Sequence, residues 1–320
     1  MPPRATAPSA AHVFPASPPR TPAQRRAARV RRMVVRLVVF GTLFVGVVAG
    51  AAWGVATVLG RDTAGPGEVR CAASLEGVDW FLATDQAETV ALLAGMAQQR
   101  ALPARALTIA IATGLQESKL RNIDHGDRDS IGIFQQRPSQ GWGTEEEILD
   151  PVYSTGRFYD ALVQVPGYEE LPVTEAAQAV QRSAFPDAYA QHEASARAWA
   201  NAMYGYSPAT VTCTLEEAEG PGDAQGVVDR AQRDLGIPAT ASAAGVVLDA
   251  APLIADPEHA ERVGWAVAHW AVTVAQPFGV DAVHHAGSTW TRESGAWSTP
   301  TTPDPQAELP PGQVLVVLAD

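Results

Sequence analysis

The strongest constraint on this chain is a run of 24 residues without a charge, Leu37 to Gly60 (LVVFGTLFVGVVAGAAWGVATVLG). A helix of that length can cross a bilayer core of about 30 Å. The apolar stretch of a cleaved signal peptide is shorter, usually about 7–15 residues, so an uncleaved signal-anchor helix is expected over 33–60. Residues 1–60 hold eight arginines and no Asp or Glu. Arginines clustered just before an apolar span keep that end in the cytoplasm. The expectation is a single-pass plasma-membrane protein, with everything after Arg61 outside the cell. After residue 60 the chain carries 15 basic and 35 acidic residues, a net charge of −20. So acidic an exported part argues against nucleic acid as a partner.

The span divides the chain. Residues 1–32 are rich in Pro, Ala and Arg and cannot bury apolar area, so they read as a disordered cytoplasmic tail. The arginines are either solvated or contact lipid headgroups or a cytoplasmic partner. Gly46, Gly50 and Gly54 recur every fourth residue; they leave either a bare face for helix pairing or a plain Gly/Ala-rich span. Residues 61–84 are expected to be the linker and domain entry, with Arg61 to Glu68 a short linker and Cys71 opening the folded part. Cys71 and Cys213 are the only cysteines. Outside the cell the simplest arrangement is one disulfide joining the two ends of the region between them; two free buried thiols are the alternative.

Between the cysteines the spacing is helical. Asp85 with Glu88 reads as a helix-capping pair, followed by Val90, Leu93, Ala94 and Ala97 on one face. Pro103 is placed as the first residue of a second helix, with Leu107, Ala110, Ile111, Gly114 and Leu115 at three- and four-residue spacing. Further helices are expected from Asp150-Pro151 through Leu162, from Thr174 through Gln181, and through Tyr189, Ala196 and Trp199 towards Met203. Phe158, Tyr159 and Trp199 read as core. Strand signals are scarce, so residues 85–213 are expected to be mainly α.

The polar stretch from Gly114 to Gly143, GLQESKLRNIDHGDRDSIGIFQQRPSQGWG, reads as one wall of a cleft. Glu117 lies on the helix side lined by Ala110 and Gly114. Small neighbours leave room for a ligand and partly desolvate a carboxylate, which suits a general acid. The structural alternative is an ion pair with Lys119 or Arg121. Asp124, Asp127 and Asp129 could bind a hard cation. Their order departs from a calcium loop and no Glu closes the set, so ion pairs with Arg121 and Arg128 are favoured and no metal is expected. Asp127 or Asp129 is the candidate for a second carboxylate opposite Glu117.

Glu117-Ser118 followed by Gly132-Ile133-Phe134-Gln135 resembles the paired signature of the lytic transglycosylases and goose-type lysozymes. The resemblance covers roughly Gln86 to Met203. It implies a lysozyme-like domain that cleaves the β-1,4 glycan strands of peptidoglycan without a cofactor. Glu117 would protonate the bridging oxygen and then, in a transglycosylase, act as base on the muramic acid 6-hydroxyl. Ser118 would position Glu117 or the sugar, Gln135 and Gln136 would bind glycan, and Trp142 would stack on a ring. The family's Ala-Tyr-Asn segment is absent. Its nearest counterpart, Val180 to Tyr189, offers Tyr189 or Gln181 for that wall. A non-catalytic envelope scaffold that keeps the fold and binds peptidoglycan is the rival.

Residues 214–225 are acidic and Gly/Pro-bearing and read as a linker. Residues 226–320 suggest a small α/β domain offering a surface to an envelope partner. Helices are expected over Ala224 to Leu235 and Pro257 to Ala275, the second with Val263, Val267, Trp270 and Val274 on one face. Strands are expected at Gly245–Leu248, Ala282–His285 and Val314–Leu318. Trp290 and Trp297 either fill the core or stack on sugars. His284 and His285 alternate on a strand, so at most one should face any site.

Overall fold

The computed structural model describes residues 68–320 apart from 184–185 and 300–308. The expected tail, signal-anchor and glycine stripe lie outside the described residues. Among the described residues no helix is long and apolar enough to cross a membrane. The fold is mixed α/β, with eight helices and two antiparallel sheets among the described residues.

Residues 85–213 are largely helical, and a small sheet joins the two ends of that part. Strands β1 (Arg70–Leu75) and β2 (Val78–Leu82) form a hairpin in the stretch read as domain entry. Strand β3 (Val211–Thr214) returns to pair with β1, giving the order β2-β1-β3. Its register sets Cys71 directly opposite Cys213, and the two form the disulfide, with Cα atoms 4.0 Å apart. The bridge spans 142 residues. Closing a loop of that length constrains the unfolded chain by up to about 5 kcal/mol in the entropic model. Replacing both cysteines by serine is therefore expected to lower the urea midpoint steeply, read by circular dichroism. An unchanged midpoint would assign the staple no thermodynamic role.

Among the described residues six helices lie between the hairpin and β3, the first five being α1 (Thr84–Gln99), α2 (Ala104–Ser118), α3 (Glu145–Leu149), α4 (Pro151–Leu162) and α5 (Val173–Gln181). A 3-10 turn, Pro186–His192, then leads into α6 (Glu193–Met203). Helix α1 starts two residues earlier than the Asp85 pair suggests, with Ala83 as its N-cap. Gln86 caps it by accepting from Ala83 N at 2.9 Å, and Asp85 instead accepts from Arg121 at 2.6 and 3.2 Å. Pro103 is the residue before α2, not its first turn. Helix α2 is the buried centre of this part, with Leu107, Ile109, Ala110 and Ile111 fully covered. Phe158, Tyr159 and Trp199 are core, as their spacing predicts.

Helix α7 (Ala224–Leu235) starts on Asp223, whose side chain accepts from Gly226 N. A six-stranded sheet follows, built from β4 (Ala239–Ser242), β5 (Gly245–Asp249), β6 (Val280–His285), β7 (Ser288–Thr291), β8 (Trp297–Ser298) and β9 (Gln313–Leu318) in the order β4-β5-β9-β6-β7-β8. Helix α8 (Ala260–Thr273) buries Val263, Val267 and Trp270 and packs on the sheet and on β3. Trp290 is fully buried, and Trp297 is half-buried and donates to Val211 O at 2.7 Å. His284 and His285 are both buried, one on each face, because both faces of β6 are covered.

Residues Pro66–Asp320 form one compact unit across the expected linker. A Cβ on Gly95 would lie 2.2 Å from Asp234 O, so the bare glycine is what lets α1 and α7 touch. Asp234 is buried there and accepts from Arg230, Arg233 and Trp270. Arg292 ties the linker down by donating to Val280 O, Ala275 O and Glu216 O at 2.5–2.8 Å. Buried His269 of α8 reaches the other way. Its Nδ1–H donates to Ala202 O at 2.8 Å, and its Nε2 accepts from Thr210 N at 3.2 Å.

Candidate functional site

Helix α2 ends at Lys119 and Leu120, both with positive φ, and Leu120 N closes back on Gly114 O at 2.8 Å. That sharp exit leaves Glu117 half-buried on the last turn. The room expected beside Gly114 is absent: a Cβ there would meet Leu120 at 2.7 Å and Ile133 at 3.4 Å. The glycine admits core side chains, not a ligand. The open space lies farther along the helix, where a cavity of about 540 Å³ is lined by Glu117, Gln135, Gln136, Trp142, Gln181 and Arg182.

Ser118 fastens this corner. Its hydroxyl donates to Ile133 O at 2.7 Å and accepts from Arg121 N at 3.1 Å, so it joins the end of α2 to the Gly132–Gln135 segment from beneath. Phe134 anchors the same segment by stacking on Phe158, with centroids 4.2 Å apart. Gly132 has φ +78°, and a Cβ there would press on Ile148 O at 3.0 Å. Gln181 donates to Phe134 O at 2.7 Å and draws α5 onto the wall. Gln135 also has positive φ and donates to His125 O at 3.2 Å. Gln136 donates to Ser154 O at 3.1 Å, while its Oε1 is buried with no hydrogen-bond partner among the described residues.

Glu117 enters no ion pair among the described residues. Arg121, one alternative partner, is taken by Asp85. The contact Glu117 does make is with Tyr189, whose hydroxyl donates to Oε1 at 2.7 Å. Burial, and then the Glu117 carboxylate, push the Tyr189 hydroxyl well above the ordinary tyrosine value, so it remains a donor at physiological pH. Tyr189 is fully buried in the 3-10 turn and holds Glu117 from behind.

The aspartates separate in role. Asp129 accepts from Arg137 Nε at 2.7 Å and Ser139 N at 2.8 Å; the bonds from Ser139 and then Arg137 hold it well below the usual carboxylate range. The expected pairing with Arg121 is thus replaced by Arg137. Asp127 lines the cavity with Glu117 and lies 3.9 Å from exposed Arg128. Among the described residues no cluster could hold a metal ion.

Sequence reasoning missed Arg137, Arg157 and Arg182 as groove residues. A second cavity, of about 710 Å³, shares Gln140, Trp142, Gln181 and Arg182 with the first and extends past Arg157 on α4. Trp142 thus lines both cavities of one long groove.

The chain matches no family model, and no curated protein matches it.

Proposed function

We propose that this chain is a membrane-anchored, outward-facing lysozyme-like protein that cleaves the β-1,4 glycan strands of peptidoglycan. The observation that carries this reading is Glu117: a half-buried carboxylate with no ion pair among the described residues, hydrogen-bonded by Tyr189 on the wall of a polar groove. With Oε1 held by Tyr189, Oε2 carries the proton to the bridging oxygen, as general acid catalysis requires. The same carboxylate then acts as base, on the muramic acid 6-hydroxyl in a transglycosylase or on water in a hydrolase. The N-acetyl group of the substrate can replace a second carboxylate, a recognised departure from the two-carboxylate scheme. Gln135 and Gln136 line the same cavity and are the candidates for hydrogen bonds to the glycan. Trp142 presents a partly exposed ring for stacking. Ser118 and Tyr189 act as positioning residues.

The charge-free span of residues 37–60 supplies the anchor in this reading, and the disulfide fits an oxidising exterior. The deciding experiment incubates the full chain, in detergent, with purified cell wall. Release of soluble glycan fragments is expected, and their reducing or anhydro ends identify the chemistry. Tight wall binding without release would replace the enzyme by a peptidoglycan-binding scaffold.

A further inference from the structure

The half of the groove beyond Trp142 has a chemistry of its own. Arg157 of α4 and Arg182 at the end of α5 both line the 710 Å³ cavity. Neither forms an ion pair among the described residues. The Nε of Arg157 is buried with no hydrogen-bond partner among the described residues, an unmet donor in a folded protein. The acid that shares this wall, Asp160, is engaged by Arg100 at 2.9 Å. Arg182 is held in the left-handed region (φ 53°) as the residue closing α5, with its N–H on Gln178 O at 2.8 Å. Its position is fixed by the helix end, and it borders both cavities. Two free guanidinium groups stand here in a part of the chain whose net charge is −20. Composition alone would not put both on the wall of one cavity.

We propose that Arg157 and Arg182 form an anionic subsite that holds a carboxylate carried by the glycan strand, next to the ring stacked on Trp142. Planar guanidinium groups match the two oxygens of a carboxylate. The proposal rests on the glycan-cleaving reading and deepens it. The groove prefers strands bearing free carboxylates, on the lactyl group or the attached peptide, over a neutral glycan of the same length.

The test is a binding comparison with the full chain in detergent. One probe is soluble peptidoglycan strands; the other is the same strands with their carboxylates converted to methylamides. Wild type should bind the charged strands at least roughly tenfold more tightly, about the worth of one charge-assisted hydrogen bond. Arg157→Gln and Arg182→Gln should each lose roughly tenfold on charged strands and nothing on amidated ones. Arg182 is exposed, so its replacement leaves the core untouched. Equal losses on both probes would make the arginines structural and overturn the subsite. Indifference of wild type to amidation would overturn it as well. Wall that is bound but not cleaved, with the charge preference intact, sinks the catalytic reading and leaves the subsite standing.

Discussion

Glu117→Gln should abolish nearly all release of glycan fragments from purified cell wall, a loss of about 10²- to 10⁴-fold, the usual contribution of a general acid. The amide keeps the size of the side chain and can still accept from the Tyr189 hydroxyl, which lies 2.7 Å from Oε1. It cannot give a proton. Folding and strand binding should therefore be unchanged, as measured by thermal unfolding and by pull-down on wall. Asp127→Asn is the informative companion, because Asp127 lines the same cavity. If Asp127 acts only through charge, its loss costs much less than that of Glu117. A loss as large would make the pair a two-carboxylate hydrolase. Full activity of Glu117→Gln would remove the chemistry from this groove altogether.

Stability should fall by about 3 kcal/mol as pH drops from about 6.5 to about 4, on account of His269 alone. Burial lowers the His269 imidazole from 6.5 to about 4; nearby His285 adds to the shift, and the Ala202 carbonyl opposes it. Trp265 and Trp297 pack around it, and Thr210 N donates to its Nε2. Protonation turns that acceptor into a donor facing another donor. A folded-state value below the unfolded one means that the unfolded chain takes up the proton first. The contribution is therefore complete above about pH 6.5 and is lost as pH falls towards 4. Urea midpoints taken across this range should slope downwards in wild type. In His269→Gln they should start lower at neutral pH and slope less. Parallel slopes would assign the acid sensitivity to other groups.

Much of the helical framework could be read from the sequence because its signals are local. Helix α7 follows the periodicity from Ala224 to Leu235 with Asp223 as cap, and α4 starts at the Pro151 that marks it. Strands β5, β6 and β9 are short apolar runs with clear edges. The first sheet was not legible. RCAASL and VDWFL carry no clean alternation, and their pairing is fixed by β3, a strand over 120 residues later. At the site, Glu117 and the Gly132–Gln135 segment were legible as neighbours through spacing and resemblance. The exchange of partners among Asp85, Arg121, Asp129 and Arg137 was not, because ion pairs depend on loop geometry rather than on sequence distance. Nothing in the sequence marked Arg157 and Arg182, because only the packing of α4 and α5 brings both to the wall of one cavity.

The cross-strand bridge also sets a path for mechanical load. The chain enters the helical part at Cys71 and leaves it at Cys213, and a covalent link joins those two points directly. Tension applied between the segment before β1 and the segment after β3 runs through the sulfur atoms. The 142-residue loop that holds the groove carries none of it. Reducing the bond would pass tension between those two segments to the helices that hold Glu117.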